Sequence, residues 1–289
     1  MAEAGEEEII MITKHIRTWK GFLKAIDEVR SIYSKTIKEL DNGKRYERNN
    51  LILFRGQANT NWKLETTLER ATKKQFHVFD YVFGAIQQSH EIEAFTEKNW
   101  KLPTHEELQK DLNDNIDHFK VDIPAYEYLV YLRHHGYPSP LLDWSESPFI
   151  AAYFALIERC TEPAAIYCYI ERPHGVKGGL GSKPKITLQG PFVRTHKRHF
   201  AQKAWYTVAT QWDYERERHY FCSHESVFDN QTQRPSIIEQ DVLIKIVIPG
   251  SLRSEMLKNL NDFNINHFTL FQSEESLIKT LADKRFLQK

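Results

Sequence analysis

The sequence has few cysteines and no long apolar run, and each shortage excludes a class of protein. Cys160, Cys168 and Cys222 form no C-x-x-C pair, and an odd, widely spaced set is typical of a reducing compartment without a disulfide framework. No apolar stretch approaches the roughly 18 residues of a membrane span. The N-terminus, MAEAGEEEII, is acidic where a secretory signal is basic. We therefore expect a cytoplasmic protein with no membrane partner.

The sequence also lacks net charge, since Lys+Arg and Asp+Glu both number 39. The protein as a whole therefore has no excess positive charge that would predict a polyanionic partner. Its composition, 41% hydrophobic and 27% charged, is typical of globular proteins, and its 289 residues suit one large domain or two small ones. Because the chain shows neither a repeat nor a clear linker, we expect residues 1–289 to form a single domain.

Glycine motifs that bind phosphate are absent too. The glycines of GVKGGLGSKPK, residues 175–185, form neither a P-loop with G-K-[ST] nor the dinucleotide pattern G-x-G-x-x-G. We interpret residues 172–195 as a basic, glycine-containing loop. Zinc needs three or four convergent ligands, and His196 and His199 form an H-x-x-H pair without partner cysteines or a glutamate motif. We therefore predict no metal site.

Apolar periodicity predicts an α+β protein. Thr18 is a candidate cap for a first helix, and residues 41–50 are polar and rich in turn residues. Residues 71–122 are charged and mostly helical, and we interpret them as a helical insertion that shapes access to a site or binds a partner. The predicted strands are 51–54, 164–170, 242–249 and a strand-like 267–271, and the predicted helices are 124–136, 147–158, 251–261 and 274–284.

The stretch LILFRGQANTNWKL, residues 51–64, places Arg55 at the end of an apolar strand. One interpretation is structural, because an arginine at a strand end can extend its guanidinium to water. The other is functional, because a strand can present a fixed cation to an anionic ligand. The local sequence leaves both open.

A second candidate segment is YLRHHGYPSPLLDWSESPFIAAYFA, residues 131–155. Asp143 and Ser145 precede a predicted helix N-terminus, where backbone N–H groups favour an anion. His134 and His135 lie at the end of the preceding helix. Asp143 could instead only cap the helix, and the histidines could only interact with the helix dipole. Polar residues crowded at element ends favour a binding site, since such residues concentrate on loops held by a scaffold.

A third segment, residues 172–212, contains basic residues and aromatic residues but no Asp or Glu. This mixture suits phosphate contacts and stacking by a nucleotide or a single-stranded nucleic acid. It is equally consistent with a solvated loop followed by a strand whose aromatic residues are core.

Three blocks of the sequence resemble the FRG-domain family, which is named for its Phe-Arg-Gly tripeptide. The first block is LFRGQANTNWKLETTLER at 53–70, and the third is HKRHFAQKAWYTVA at 196–209. Where the family usually has Thr-Arg before Leu-Leu-Asp-Trp, this chain has Ser139-Pro140, so a role for that arginine does not carry over. The second block matches at His134, Gly136, Pro138, Leu141, Leu142, Asp143, Trp144, Ser145, Pro148, Ala152, Phe154 and Ala155.

The layout of these blocks is similar to that of ADP-ribosyltransferases, which hold NAD in the cleft of a split, mixed or antiparallel sheet flanked by helices. This similarity implies an NAD-dependent, toxin-like transferase. Such an enzyme would serve as an anti-phage effector that modifies RNA, DNA or protein and has a neutralising protein partner. The alternatives are a non-catalytic nucleotide- or RNA-binding module and a protein-interaction domain in which Arg55 and Asp143 form a buried ion pair.

The resemblance also implies roles for individual residues. The implied catalytic candidates are Gln202, Asp143 and Glu239, among which the sequence does not choose. The implied NAD-binding residues are Arg55, Gly56, His134, Trp144, Ser145 and Tyr206, with Tyr153 as a further aromatic candidate. We expect Arg55, His134, Asp143 and Gln202 to line one cleft of cofactor size.

Overall fold

The computed structural model describes residues 12–39, 45–114, 123–175, 177, 183–191, 193–194, 197–229 and 241–286. Its strands are β1 (Ile12–His15), β2 (Lys35–Glu39), β3 (Arg45–Asn49), β4 (Ile52–Gln57), β5 (Leu142–Ser145), β6 (Ala164–Glu171), β7 (Lys185–Gln189), β8 (Ala204–Asp213), β9 (Arg218–Phe221) and β10 (Asp241–Ile248). Its helices are α1 (Trp19–Tyr33), α2 (Thr67–Ala71), α3 (Val78–Gln87), α4 (Ser89–Thr96), α5 (His105–Asp114), α6 (Tyr126–His134), α7 (Pro148–Leu156), α8 (Lys197–Ala201), α9 (Glu225–Asp229), α10 (Arg253–Asp262), α11 (His267–Phe271) and α12 (Glu274–Phe286).

In the described part of the chain, eight strands form one mixed sheet in the order β1-β10-β6-β4-β5-β8-β7, and β9 also pairs with β8. β1 runs parallel to β10, and the other pairs are antiparallel. β6 is central, with eight register pairs to β10 and six to β4. Helices cover the sheet, so the predicted α+β class is confirmed. Among the described helices, none is long and apolar enough to cross a membrane.

The sheet is nearly divided between β4 and β5. These two strands pair at one position, Phe54 with Ser145, whereas β5 makes four register pairs with β8 on its other side. The strands therefore hold together at one end of β5 and lose their ladder toward Asp143. Backbone groups that leave a ladder need other hydrogen-bond partners, and polar side chains at the division can supply them.

One face of the sheet packs on α1, α7 and α10. Phe54, Ile166 and Ile244 are buried there together with Phe22 of α1 and Met256 of α10. α7 lies directly on β4 because Gly56 has no side chain. A Cβ built on Gly56 would lie 1.9 Å from the backbone oxygen of Ala151 and 2.5 Å from the backbone nitrogen of Ala155. The Phe-Arg-Gly tripeptide therefore includes a glycine that close packing requires.

The predicted helical insertion shares a core with the rest of the protein. Val82 and Ala85 of α3 and Leu108 of α5 are fully buried in one cluster with Leu129 of α6 and Tyr206 of β8. Residues 71–114 are therefore not a layer attached to the outside of the fold. Residues 115–122 of the predicted insertion lie outside the described residues.

Three predicted segments differ in the structure. Residues 267–271 form α11 rather than a strand, because Asn266 and Thr269 cap its N-terminus reciprocally. Residues 45–49 of the predicted polar turn form β3, which pairs with β2. Residues 185–189, inside the predicted 172–195 loop, form β7 through five register pairs with β8. In these three places, helix capping or strand pairing overrode the secondary structure that the local sequence favours.

Candidate functional site

The polar centre of the divided sheet is formed by Arg55 and Asp143. β4 extends through Gln57, so Arg55 lies within the strand and not at its end, contrary to our prediction. Its Nη1 donates a hydrogen bond of 2.9 Å to the backbone oxygen of Asp143 and lies 3.7 Å from the carboxylate oxygen Oδ2. The guanidinium thus contacts β5 where the two strands no longer pair.

Arg133, in the last turn of α6, binds the same carboxylate. Its Nε donates to Oδ1 of Asp143 and its Nη2 to Oδ2, which is a bidentate arrangement. Its Nη1 donates to Oγ1 of Thr67 at 3.0 Å. From sequence we singled out the two histidines that follow Arg133 but not the arginine itself. The position of Arg133 at the end of a predicted helix, just before the loop that leads to Asp143, could have indicated an anion-binding role.

The exposure of these side chains is uneven. Arg133 is 10% exposed and Arg55 is 15% exposed, whereas Asp143 is 43% exposed. Two nearly buried guanidinium groups therefore share one carboxylate that faces solvent. Nε of Arg55 is buried and has no hydrogen-bond partner within the described part of the chain. The group therefore carries a net positive charge and one buried donor without a described partner.

Mutual charges shift the pKa values of this group. Burial lowers the pKa of Arg55 to about 10, an effect that Asp143 opposes and that Arg133 and Arg70 increase. Burial raises the pKa of Asp143, but the charges of Arg133 and Arg55 outweigh burial, so this pKa lies below its usual value. At neutral pH both arginines are charged and Asp143 is ionised.

Aromatic and imidazole groups surround this centre. The hydroxyl of Tyr206 lies 3.0 Å from Nε2 of His134, and the ring of His199 stacks on Tyr206 at 5.8 Å. Tyr126 packs edge-on against Tyr206, and its hydroxyl donates to the backbone oxygen of Gly190 at 2.8 Å. Burial, and then the charge of Asp143, raises the pKa of both tyrosines. Both phenols therefore stay protonated beside Asp143.

Other predicted binding residues have structural contacts. Trp144 is 3% exposed and donates from Nε1 to Oγ1 of Thr207 at 2.8 Å. Oγ of Ser145 donates to the backbone oxygen of Gln202 at 2.7 Å and accepts from the backbone nitrogen of Ser147 at 3.1 Å. The hydroxyl of Tyr153 lies 3.2 Å from Nδ1 of His267. These contacts organise the turn from β5 into α7 and the interior behind it.

The predicted catalytic residues do not all meet. Asp143 lies in the centre, but Nε2 of Gln202 donates to the backbone oxygen of Leu270 at 3.1 Å, which engages its amide with α11. Glu239 lies outside the described residues. The structure thus brings Arg55, His134, Asp143 and Tyr206 together and directs Gln202 elsewhere.

A cavity in the described part of the chain lies away from Arg55, Arg133 and Asp143. It has a volume of about 410 Å³ and is lined by residues 75–77, 212–216 and 220, at the β8–β9 hairpin. None of the predicted site residues lines it. Within the described residues, no three His, Cys, Asp or Glu side chains converge as metal ligands would. Nε2 of His199 donates to the backbone oxygen of Pro191 at 3.0 Å, and Nε2 of His224 lies 2.9 Å from Oγ1 of Thr207.

Part of the chain matches a known family of domains. Residues 50–163 match the model of the FRG domain. The match covers less than half of the chain. It contains Arg55, Arg133 and Asp143, whereas Tyr206, Gln202 and Glu239 lie beyond it. No curated protein matches the chain, and no solved structure matches it. The region that matches the FRG model therefore contains both arginines and the carboxylate of the candidate site.

Proposed function

We propose that this chain is an NAD-dependent ADP-ribosyltransferase and that its FRG domain binds the pyrophosphate of NAD through Arg55 and Arg133. The observation that carries the proposal is the pair of nearly buried guanidinium groups on one half-exposed carboxylate where β4 and β5 separate. Guanidinium groups bind phosphate oxygens through paired, charge-assisted hydrogen bonds. The unpartnered Nε of Arg55 is a donor that such a ligand would use.

The chemistry needs an ionised carboxylate beside the reacting ribose, and Asp143 fits that requirement. The bond between nicotinamide and ribose C1′ breaks, nicotinamide leaves with the bonding electrons, and the ribose passes through an oxocarbenium-like state. A carboxylate stabilises the developing positive charge. The acceptor then bonds to C1′ and loses its proton. The lowered pKa of Asp143 keeps the carboxylate charged throughout.

The proposed acceptor is a single-stranded nucleic acid, RNA or DNA, with protein as the other class. Phe200 is 88% exposed on α8 and lies in the basic segment with Arg198 and Lys203. An exposed ring among cations suits stacking and phosphate contacts. An enzyme of this kind would act in the cytoplasm as a toxin-like effector, for example against phage, and would need a neutralising partner in the cell that makes it.

A second candidate function is a non-catalytic nucleotide- or RNA-binding module. The bidentate contact of Arg133 occupies both oxygens of Asp143, and the amide of Gln202 is bound to Leu270. These contacts favour binding without turnover. The remaining alternative, an interaction domain in which Arg55 and Asp143 are only an ion pair, is favoured by their 3.7 Å separation.

The test combines NAD turnover with binding. The protein is incubated with NAD labelled on its adenylate and with separate pools of RNA, DNA and protein, and we expect released nicotinamide and label on one pool. Nucleotide binding without nicotinamide release would support the binding module. No binding to NAD or RNA would support the interaction domain and contradict the proposal.

Variants of Arg55 separate a ligand contact from a structural one. Arg55→Ala removes a charged contact of about 1.5–3 kcal/mol, so NAD turnover should fall at least tenfold. Arg55→Lys should not restore it, because an ammonium lacks the planar fork. Arg30→Ala, at an exposed position of α1, is the matched control. A folded Arg55→Ala protein with full turnover would contradict the assignment of this residue.

A further inference from the structure

The C-terminal helix α12 is oriented with its polar side toward the protein. Ser276 is 1% exposed and Thr280 is 6% exposed, and both are hydrogen-bonded within the fold. Oγ of Ser276 accepts from the backbone nitrogen of Ser273 at 2.8 Å, and Oγ1 of Thr280 accepts from the backbone nitrogen of Phe268 at 2.9 Å. The inward face of the helix therefore carries small polar side chains whose hydroxyl groups are hydrogen-bonded.

The outward face of α12 is apolar. Leu277 is 40% exposed, Ile278 60% and Leu281 57%. At 100° per residue these three side chains form one stripe on the helix, opposite Ser276 and Thr280. A helix that faces solvent normally turns its apolar side inward. The reversed arrangement indicates that another surface covers the stripe.

Charged residues continue this stripe at both ends with opposite signs. Glu274, Ile278, Leu281 and Arg285 follow each other at spacings of four, three and four residues, which is the spacing of a two-helix seam. The neighbouring exposed residues repeat the asymmetry, with Glu275 in the first turn and Lys284 in the last. The helix is therefore acidic at one end of its apolar stripe and basic at the other.

This pattern is complementary to itself when two copies run antiparallel. A two-fold axis beside the middle of the helix places Ile278 opposite the partner copy's position 281, and Glu274 opposite position 285. The same register places Glu275 opposite position 284 and Leu277 opposite position 282. Each acidic end meets a basic end, the apolar residues meet in the centre, and the two helix dipoles run in opposite directions.

We propose that α12 is a homodimerisation surface, on which two copies of this chain pair their α12 helices antiparallel around Ile278 and Leu281. The helix has 13 residues and is about 20 Å long. A single helix pair of this length is smaller than a standard interface of about 800 Å² per partner. We therefore expect a reversible dimer with a dissociation constant on the order of micromolar.

The first test measures the oligomeric state of the full chain by sedimentation velocity over a range of concentrations. A reducing agent is needed because Cys160 is exposed and could form an artificial disulfide dimer. We expect a monomer–dimer equilibrium whose dissociation constant rises at least tenfold in Leu281→Glu and in Ile278→Glu. Phe95→Glu, at an 89% exposed phenylalanine on α4, is the matched control and should leave the constant unchanged.

The second test uses charge reversal at exposed positions of the helix. One variant carries Glu274→Arg and Glu275→Lys, so both ends of its helix are basic. The other carries Lys284→Glu and Arg285→Glu, so both ends are acidic. Each alone should dimerise at least tenfold more weakly than the unmodified chain, and a mixture of the two should form a heterodimer with restored affinity.

Three results would overturn the proposal. The first is an unmodified chain that stays monomeric up to its solubility limit. The second is a dimer that Leu281→Glu does not weaken, or charge-reversed variants that do not pair with each other. The third is a monomer that sediments with vesicles of anionic phospholipid through the same stripe, because the covering surface would then be a membrane.

Discussion

Among single residues, Gly56 shows how a family tripeptide can be set by packing. The family resemblance implied a role in NAD binding, but a Cβ on this residue would overlap the backbone of α7. We expect Gly56→Ala to lower the free energy of unfolding by at least about 2 kcal/mol, because its Cβ would overlap backbone atoms that cannot move separately. Gly84→Ala, in α3 with no atom within 4 Å of the new Cβ, should instead stabilise by about 0.5–1 kcal/mol.

Urea unfolding of both glycine variants measures this difference. Equal effects at Gly56 and Gly84 would contradict the packing explanation. If Gly56→Ala were stable yet unable to bind NAD, the original assignment to the ligand would be the better one.

His224 is a residue whose burial makes stability depend on pH. Its ring is fully buried, and Nε2 lies 2.9 Å from Oγ1 of Thr207. Burial, and then the charge of Arg55, lowers the pKa of His224 to about 3. The unfolded chain binds a proton at this residue near its ordinary pKa of about 6.5. Stability is therefore lost as the pH falls from about 6.5 toward 3.

The variant His224→Gln tests this dependence because an amide can keep a hydrogen bond to Thr207 without titrating. The loss of unfolding free energy between about pH 7.5 and about pH 4.5 should be smaller in the variant, by at most about 1.4 kcal/mol per pH unit. Urea midpoints at both pH values provide the measurement. An identical loss in both proteins would show that His224 is not a buried neutral histidine.

At the scale of elements, the helices of residues 71–114 are part of the core. From sequence we interpreted residues 71–122 as an insertion that shapes access to a site or binds a partner. Because α3 and α5 bury Val82 and Leu108 against α6 and β8, we now expect its removal to prevent folding. Leu108→Ala should cost about 2–5 kcal/mol, the range for a leucine removed from a packed core.

Phe95 provides the matched comparison within the same segment. It is 89% exposed on α4, so Phe95→Ala should change the free energy of unfolding by no more than about 0.5 kcal/mol. Thermal or urea unfolding of both variants distinguishes a core from an attached layer. If Leu108→Ala were as stable as Phe95→Ala, these helices would be an attached insertion and not part of the core.

Across the whole molecule, the pairing of the sheet predicts an order of opening. β6 is paired along both edges, by eight residue pairs to β10 and six to β4, whereas β1 makes four pairs at one edge. Opening free energies follow such differences in buried, paired backbone. We expect peptides from residues 164–171 to be the last to exchange their amide hydrogens, and those from 12–15 to exchange much earlier.

Hydrogen exchange followed by mass spectrometry checks this order and also the division at β4–β5. If residues 142–145 exchanged as slowly as 164–171, the sheet would be continuous and the division would have no dynamic consequence. If added NAD slowed exchange around Arg55 and Asp143 but not in β6, the proposed ligand site would gain independent support.

Much of this protein could be predicted from short stretches of sequence. Apolar periodicity and the Thr18 cap predicted α1. The pattern of residues 147–158 predicted α7, and the patterns of 164–170 and 242–249 predicted β6 and β10. The FRG resemblance of the first two blocks was likewise carried by residues 53–70 and 131–155. These features depend on contacts between neighbours in the chain, so local patterns suffice.

The tertiary structure alone decided which side chains meet. Arg55 reaches Asp143 across 88 positions, and the geometry of that contact depends on where β4 and β5 stop pairing. Arg133 contacts Asp143 because α6 ends close to β5. The amide of Gln202 instead donates to the backbone oxygen of Leu270 in α11. Sheet register and helix packing are collective results of the whole core, so no window of sequence contains them.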